Sequence, residues 1–426
     1  MWKQSRQANG PSYIPGETRP RRLLLCLDGV PHKIIQSAKS RGMFDAFNSP
    51  TRLLSPFPTM TNVALSAMFE ATPPAGYESL YFDRNTRHLS GGIRKYIGRR
   101  TPDKIPSSYM DALDYQEPLM FEFLIYVAPE RVWRADMQRF RERFLEAPQT
   151  RDYFGFLKAT DGLLHAQGPE RLNVALAALD KILSEIRRTS GSETEIVLFS
   201  DHGMNLEENR RVDLATHLTR RGFKASGQLP GEGRSLSIPA FGLCSYVAIY
   251  CGHEDLIPET IEALIELPGV DFTIFRDGDR VELKSSRGTA LIEHDAGERY
   301  RYSPSGGDPL LLQSTVEELR AAGKIDEQGF ASAADWFTAT NGHVYPNVVV
   351  NLYKSLFTNR VQHTADILVS LHDGYYYGWS PFGKFVKLLA THGNALAASS
   401  NAFLMSTHRE FPECVQADEA KGLLLR

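Results

Sequence analysis

Glu195-Ile196-Val197-Leu198-Phe199-Ser200-Asp201-His202-Gly203-Met204 is the stretch that decides the fold. Its first half is a short apolar run. Its second half turns abruptly to a carboxylate, an imidazole and a glycine. A run this short reads as a buried strand. Polar groups just past the carboxyl end of such a strand stand where open α/β sheets bind ligands. Leu23–Leu27 repeats the pattern and ends in Asp28-Gly29. Ala365–Leu371 reads as a third strand of the same kind, with His392-Gly393 following after a loop.

Helical patterns lie between these runs. Pro31–Phe47 opens on a proline and spaces Ile34, Ile35 and Ala38 as a helix does. In Leu172–Arg187 the residues Leu172, Leu176, Leu179, Leu183 and Ile186 share one face. Strand and helix alternate, so the expected fold is α/β: a mostly parallel sheet sandwiched by helices. The middle differs. Tyr246–Cys251 reads as a strand and Leu256–Leu267 as a helix. Val270–Arg276 and Arg280–Lys284 flank Asp277-Gly278-Asp279 as a hairpin does. The expected organisation is a loose tail over 1–20, a core over 21–204, a smaller α+β cap inserted over 205–345, and the rest of the core over 346–426.

Composition narrows the function. The chain has 426 residues, 42% hydrophobic and 23% charged, enough for a sizeable core. A net charge of -3 gives no reason to expect a nucleic-acid polymer as partner. The one basic run, Arg94–Lys104, reads as a solvated surface, with a phosphate-attracting rim as the alternative. No apolar stretch is long enough to span a bilayer, and the first residues lack a secretory signal, so a cytoplasmic protein is expected. The four cysteines form no CxxC pair, which argues against a zinc knuckle, a redox motif and a disulfide framework. Oligomeric state has no signature here.

The chemistry-bearing residues come in five pieces. They are Leu25-Cys-Leu-Asp28-Gly29, Phe57-Pro-Thr-Met-Thr61, Thr160-Asp161-Gly-Leu-Leu-His165, Phe199-Ser-Asp201-His202-Gly203-Met204 and Thr391-His392-Gly393-Asn394. Asp161 and His165 stand four apart, on one face of a helix, and could share one cation. Taken singly, a strand-terminal Asp is often a turn residue, Thr61 could serve as a helix cap, and a lone His is commonly structural. Taken together and in this order, the pieces resemble the alkaline phosphatase superfamily, and within it the type I phosphodiesterase/nucleotide pyrophosphatase branch.

The resemblance implies a two-metal hydrolase of phosphate esters. One cation would be held by Asp161, His165 and His392. The other would be held by Asp28, Asp201 and His202, with the Thr61 oxygen close to it. This donor set suits two zinc ions, with manganese or iron as alternatives. Thr61 would be the nucleophile and form a phospho-threonine, with Thr59 as its rival. A small phosphate ester or phosphonate would be the substrate, and a diester is favoured. A monoesterase, a phosphonate hydrolase or a phosphoryl or head-group transferase using the same nucleophile are the alternatives. The branch also implies an Asn downstream of the nucleophile that binds a phosphoryl oxygen. Asn85 is the candidate and Asn62 the rival. The chain departs from the branch after Thr61, reading Asn62-Val-Ala-Leu and later Ala71-Thr-Pro-Pro-Ala-Gly76. That leaves the substrate open.

Overall fold

The computed structural model describes residues 21–92, 105, 107–116, 128–378 and 387–425. The expected tail over 1–20 and the basic run Arg94–Lys104 lie outside the described residues.

Arg22–Leu27 lies at the heart of the core sheet, parallel to Tyr153–Leu157 on one side and Glu195–Phe199 on the other. Every residue of these three strands is buried. Both faces are covered, which is why the strands read as unbroken apolar runs rather than alternating ones. Successive side chains still point to opposite faces. Leu23, Leu25 and Leu27 pack with Ile35, Leu176 and Leu179 of the helices His32–Ser40 and Ala159–Ser190. Leu24 and Cys26 pack with Leu65 and Met68 of the helix Thr61–Met68.

The full sheet has seven strands in the order Cys414–Gln416, Thr51–Leu54, Asn401–Ser406, Glu195–Phe199, Arg22–Leu27, Tyr153–Leu157, Tyr115–Gln116. Asn401–Ser406 is the antiparallel member, set against both its neighbours. The remaining pairs are parallel. The mostly parallel, helix-covered α/β sheet read from the sequence is the one found.

One strand is elsewhere. Ile367–Leu371, expected in the core sheet, lies in the second sheet, antiparallel to Tyr246–Cys251 and Val270–Asp277. An apolar run marks a buried strand but carries no information on which sheet buries it. Asn401–Ser406 takes the core position instead. The second sheet has nine strands drawn from Lys224–Ala225 through Ile367–Leu371. It includes the expected hairpin, with Asp277 paired to Arg280 across a two-residue turn whose Gly278 has φ +63.

Two helices differ in extent from their sequence patterns. The first ends at Ser40 instead of Phe47, because Gly42 at φ +82 closes it with its N–H on Lys39 and that of Met43 on Ala38. The segment Leu172–Arg187 is the second part of a longer helix, Ala159–Ser190, broken at Gly168 and Pro169. The first part of that helix carries Asp161 and His165. Among the described residues no helix is long and apolar enough to cross a membrane, and all four cysteines are free thiols.

Candidate metal centre

Each element ends where it delivers a polar side chain. Arg22–Leu27 gives way to Asp28, whose N–H still bonds to Leu157 of the neighbouring strand at 3.1 Å. Gly29 then turns the chain at φ +67. A Cβ there would sit 2.9 Å from Asp161 Oδ1 and 2.6 Å from Met204 Cε, so only glycine fits beside these groups. Its N–H holds Asp201 Oδ1 at 3.1 Å. Glu195–Phe199 delivers Asp201 and His202, both fully buried. The hydroxyl of Thr160 donates to the Asp28 carbonyl at 2.7 Å, which docks the start of the Asp161–His165 helix on the strand end.

All seven side chains expected at the centre meet in one continuous chain of contacts. Thr61 Oγ1 lies 3.3 Å from Asp28 Oδ1 and 3.2 Å from His202 Nε2. His202 Nε2 is 3.5 Å from Asp28 Oδ1 and 3.4 Å from Asp201 Oδ2. The rings of His202 and His392 stack with centroids 3.9 Å apart. Asp161 Oδ1 lies 3.6 Å from His392 Nε2 and 3.3 Å from His165 Nε2.

The three imidazoles are fixed in the same way. Nδ1 of His165 bonds the Ala390 carbonyl at 2.7 Å, that of His202 the Gly203 carbonyl at 3.0 Å, and that of His392 the Thr59 carbonyl at 2.8 Å. A carbonyl only accepts, so each Nδ1 carries the proton and each Nε2 presents a lone pair to the centre. This is how protein-bound metals have their histidines held. Asp161 Oδ1 and Asp201 Oδ2 are buried there with no hydrogen-bond partner. Buried carboxylate oxygens without a donor are costly unless a cation completes them. The donor set therefore fits divalent metal ions.

Electrostatics favour the ligand form at two of the three imidazoles. Burial pushes the Asp201 carboxyl up to about 6. Burial also pushes Asp161 up, but His165, His392 and His202 together pull it below the usual carboxylate range. Burial lowers His202 to about 4, and burial with the neighbouring His202 lowers His392 to about 3, so both rings stay neutral. Burial lowers His165 too, yet the Asp161 charge outweighs it and leaves this ring raised. Neutral imidazole is the ligand form.

Two trios have donor atoms mutually within 4.8 Å: Asp28, Asp201 and His202, and Asp161, His202 and His392. The first is the trio read from sequence. The second contains His202 where His165 was expected: the His202 ring stacks on that of His392 with centroids 3.9 Å apart, whereas the His165 ring stands 5.4 Å from it.

Thr59 does not compete as nucleophile. It is fully buried, its Oγ1 accepting from Gly393 N at 2.8 Å and donating to the Asn394 carbonyl at 3.2 Å. Thr61 is the first residue of its helix rather than the cap; Met60 holds that position and contributes no side-chain cap. Asn85 is not brought to the centre. It sits in the exposed turn between Leu80–Asp83 and His88–Gly91, its N–H on Asp83 Oδ1 at 2.8 Å, an arrangement that makes it a turn residue. Asn62 is adjacent to Thr61, and its Oδ1 accepts from Tyr109 OH at 2.8 Å.

Supporting residues escaped the sequence reading. Asn205 accepts from Thr391 N at 3.0 Å and donates its own N–H to the Thr391 carbonyl. Ser245 N bonds the His392 carbonyl at 2.7 Å. Of these fixing residues only Asn394 carried a signal, as the last residue of Thr-His-Gly-Asn. Its Nδ2 donates to Leu371 O and Asp373.

Comparison with known proteins shows where else this fold occurs. Phosphonoacetate hydrolase from Sinorhizobium meliloti, in complex with phosphonoformate, shares the fold with a TM-score of 0.54 at 14% identity, covering 100% of this chain and 99% of its own. Murine ectonucleotide pyrophosphatase/phosphodiesterase 5 does so with a TM-score of 0.51 at 14% identity, covering 95% and 94%. A structure of the same murine protein, an inactive threonine-to-alanine variant in complex with AMP, aligns with a TM-score of 0.50 at 13% identity, covering 95% of each chain. No curated protein sequence matches this chain. The fold is the alkaline phosphatase-like one of these neighbours, and two groups of Asp and His within it could hold metal ions. Residues 81–258 match the model of the family Type I phosphodiesterase / nucleotide pyrophosphatase. That span holds Asp161, His165, Asp201 and His202, while Asp28, Thr61 and His392 join them through the fold.

Proposed function

We propose that this chain hydrolyses phosphate diesters, including pyrophosphate-linked nucleotides, with Thr61 as nucleophile at a two-zinc centre. One observation carries the reading: three imidazoles, each anchored at Nδ1 by a backbone carbonyl, aim Nε2 at the partnerless oxygens of Asp161 and Asp201. Asp161, His165 and His392 would hold one ion. Asp28, Asp201 and His202 would hold the other, beside Thr61. The mixed imidazole and carboxylate set suits zinc, with manganese and iron as alternatives. When bound, such ions neutralise the phosphate and acidify the threonine hydroxyl.

Asp28 orients Thr61 Oγ1 toward the centre. Thr61 gives up its hydroxyl proton to solvent, its oxygen attacks phosphorus, the bond to the leaving ester oxygen breaks, and the alcohol leaves with that electron pair and takes a proton from water. The phospho-threonine forms at the start of an uncapped helix, where free N–H groups and the helix dipole favour an anion. Water then attacks phosphorus and loses a proton to solvent, the bond from phosphorus to Thr61 Oγ1 breaks, and Thr61 takes up a proton to recover its hydroxyl. Tyr109 OH, by bonding Asn62 Oδ1, turns the Asn62 NH2 group toward other acceptors. We assign the phosphoryl-oxygen contact to Asn62 rather than Asn85. The inactive threonine-to-alanine variant of the murine neighbour supports a threonine nucleophile.

Phosphonate hydrolysis is the second reading. It is favoured by the S. meliloti phosphonoacetate hydrolase, which matches this chain end to end. Turnover of bis(4-nitrophenyl) phosphate, 4-nitrophenyl phosphate and phosphonoacetate by the zinc-loaded protein separates the readings, with added alcohols to detect transfer. The diester is expected to be turned over fastest, with the group passed to water. A dominant monoester, phosphonate or alcohol-transfer product would overturn the proposal.

A further inference from the structure

The carboxylate of Glu78 is partly buried and takes no part in the chemistry above. It lies beyond the helix that Thr61 begins, two residues past the segment Ala71–Gly76. One oxygen accepts from Gly242 N and the other from Tyr246 OH at 3.1 Å. Burial pushes its pKa up, and the N–H groups of Gly242 and Phe241 with the Tyr246 hydroxyl pull it partly back.

The segment Glu78 grips also holds the metal centre from its other side. The Leu243 carbonyl accepts from Thr391 Oγ1 at 2.6 Å. Ser245 N donates to the His392 carbonyl at 2.7 Å, and Ser245 Oγ accepts from Asn394 N at 3.1 Å. The Tyr246 ring fills the space above Gly393, where a Cβ would come within 2.8 Å of it. Residues 241–246 are thus clamped between Glu78 and the turn 391–394.

We propose that Glu78 is a positioning residue for His392: by holding the segment 241–246 against the nucleophile side, it fixes the turn that aims the His392 imidazole at Asp161. The assignment rests on the reading of His392 as a metal ligand. A carboxylate suits the task because it accepts from an amide and a phenol at once. A glutamine keeps one acceptor for the Gly242 amide, whereas alanine keeps none.

Cobalt(II) titration of the metal-free full-length protein, followed by visible absorption, tests this. Wild type is expected to bind two equivalents. Fewer than two would overturn the two-metal reading itself, independently of Glu78. Glu78→Ala is expected to weaken one of the two sites by roughly 10- to 100-fold while the other keeps its affinity. Glu78→Gln is expected to recover part of that loss. His392→Ala should weaken the same site. Two wild-type affinities in Glu78→Ala would overturn the proposal. So would equal weakening of both sites, which is what a merely structural residue would give.

Discussion

The backbone carbonyl of Thr59 accepts the Nδ1 proton of His392 at 2.8 Å, two residues before Thr61. The loop that presents Thr61, the proposed nucleophile, is therefore the same loop that orients His392, a proposed metal ligand, and the two threonines in it are placed for separate duties. Thr59→Val removes a hydroxyl bonded to Gly393 and Asn394 and strands a buried N–H. It is expected to cost about 1–3 kcal/mol in denaturant unfolding. Turnover should recover when zinc is supplied in excess. Thr61→Val is expected to lose turnover by roughly a thousandfold or more with its metal content intact. Full activity in Thr61→Val would remove it as nucleophile.

Gly29 offers a test of how tightly the centre is packed. A Cβ at this position would meet Asp161 Oδ1 at 2.9 Å, whereas one at Gly42 meets nothing within 4 Å, and both glycines have positive φ. Each alanine variant pays the backbone strain of about 1–2 kcal/mol. Gly29→Ala alone should also lower metal affinity, by roughly tenfold or more. Equal metal affinities in the two variants would show that Asp161 does not need the space.

These examples also show what the sequence could reveal. Asp28 and Asp201 were legible because an unbroken apolar run ends at each of them, and strand ends are where such sheets bind. Asp161 and His165 were legible through their i, i+4 spacing. The strand Ile367–Leu371 was assigned to the wrong sheet because Ile-Leu-Val-Ser-Leu is equally at home in either. Ser245 and Asn205 left no trace. They bond backbone groups more than 140 residues away, and a hydroxyl or amide that does so looks the same in sequence as one facing water. Asn85 misled because spacing along the chain does not say which side of a hairpin turn a residue occupies.

Asp136 gives a pH prediction away from the centre. It is fully buried, accepts from Tyr115 OH, and burial raises its carboxyl to about 7. The folded state thus favours the neutral acid. The stability this group contributes is complete below about pH 4, near its unfolded pKa, and is lost as the pH rises through about 7. Asp136→Asn keeps an acceptor for Tyr115 and cannot ionise. It should be more stable than wild type by on the order of 2 kcal/mol at pH 8, with no gain at pH 4. Equal unfolding free energies for variant and wild type at pH 8 would show that Asp136 is ionised at no cost.

The central claim is that six side chains from four separate stretches of chain form one centre for two cations. Elemental analysis of the full-length protein, incubated with zinc and then desalted, measures it directly. The account expects two zinc ions per chain in wild type and no more than one in Asp161→Ala. One ion or none in wild type, or two in Asp161→Ala, would contradict it.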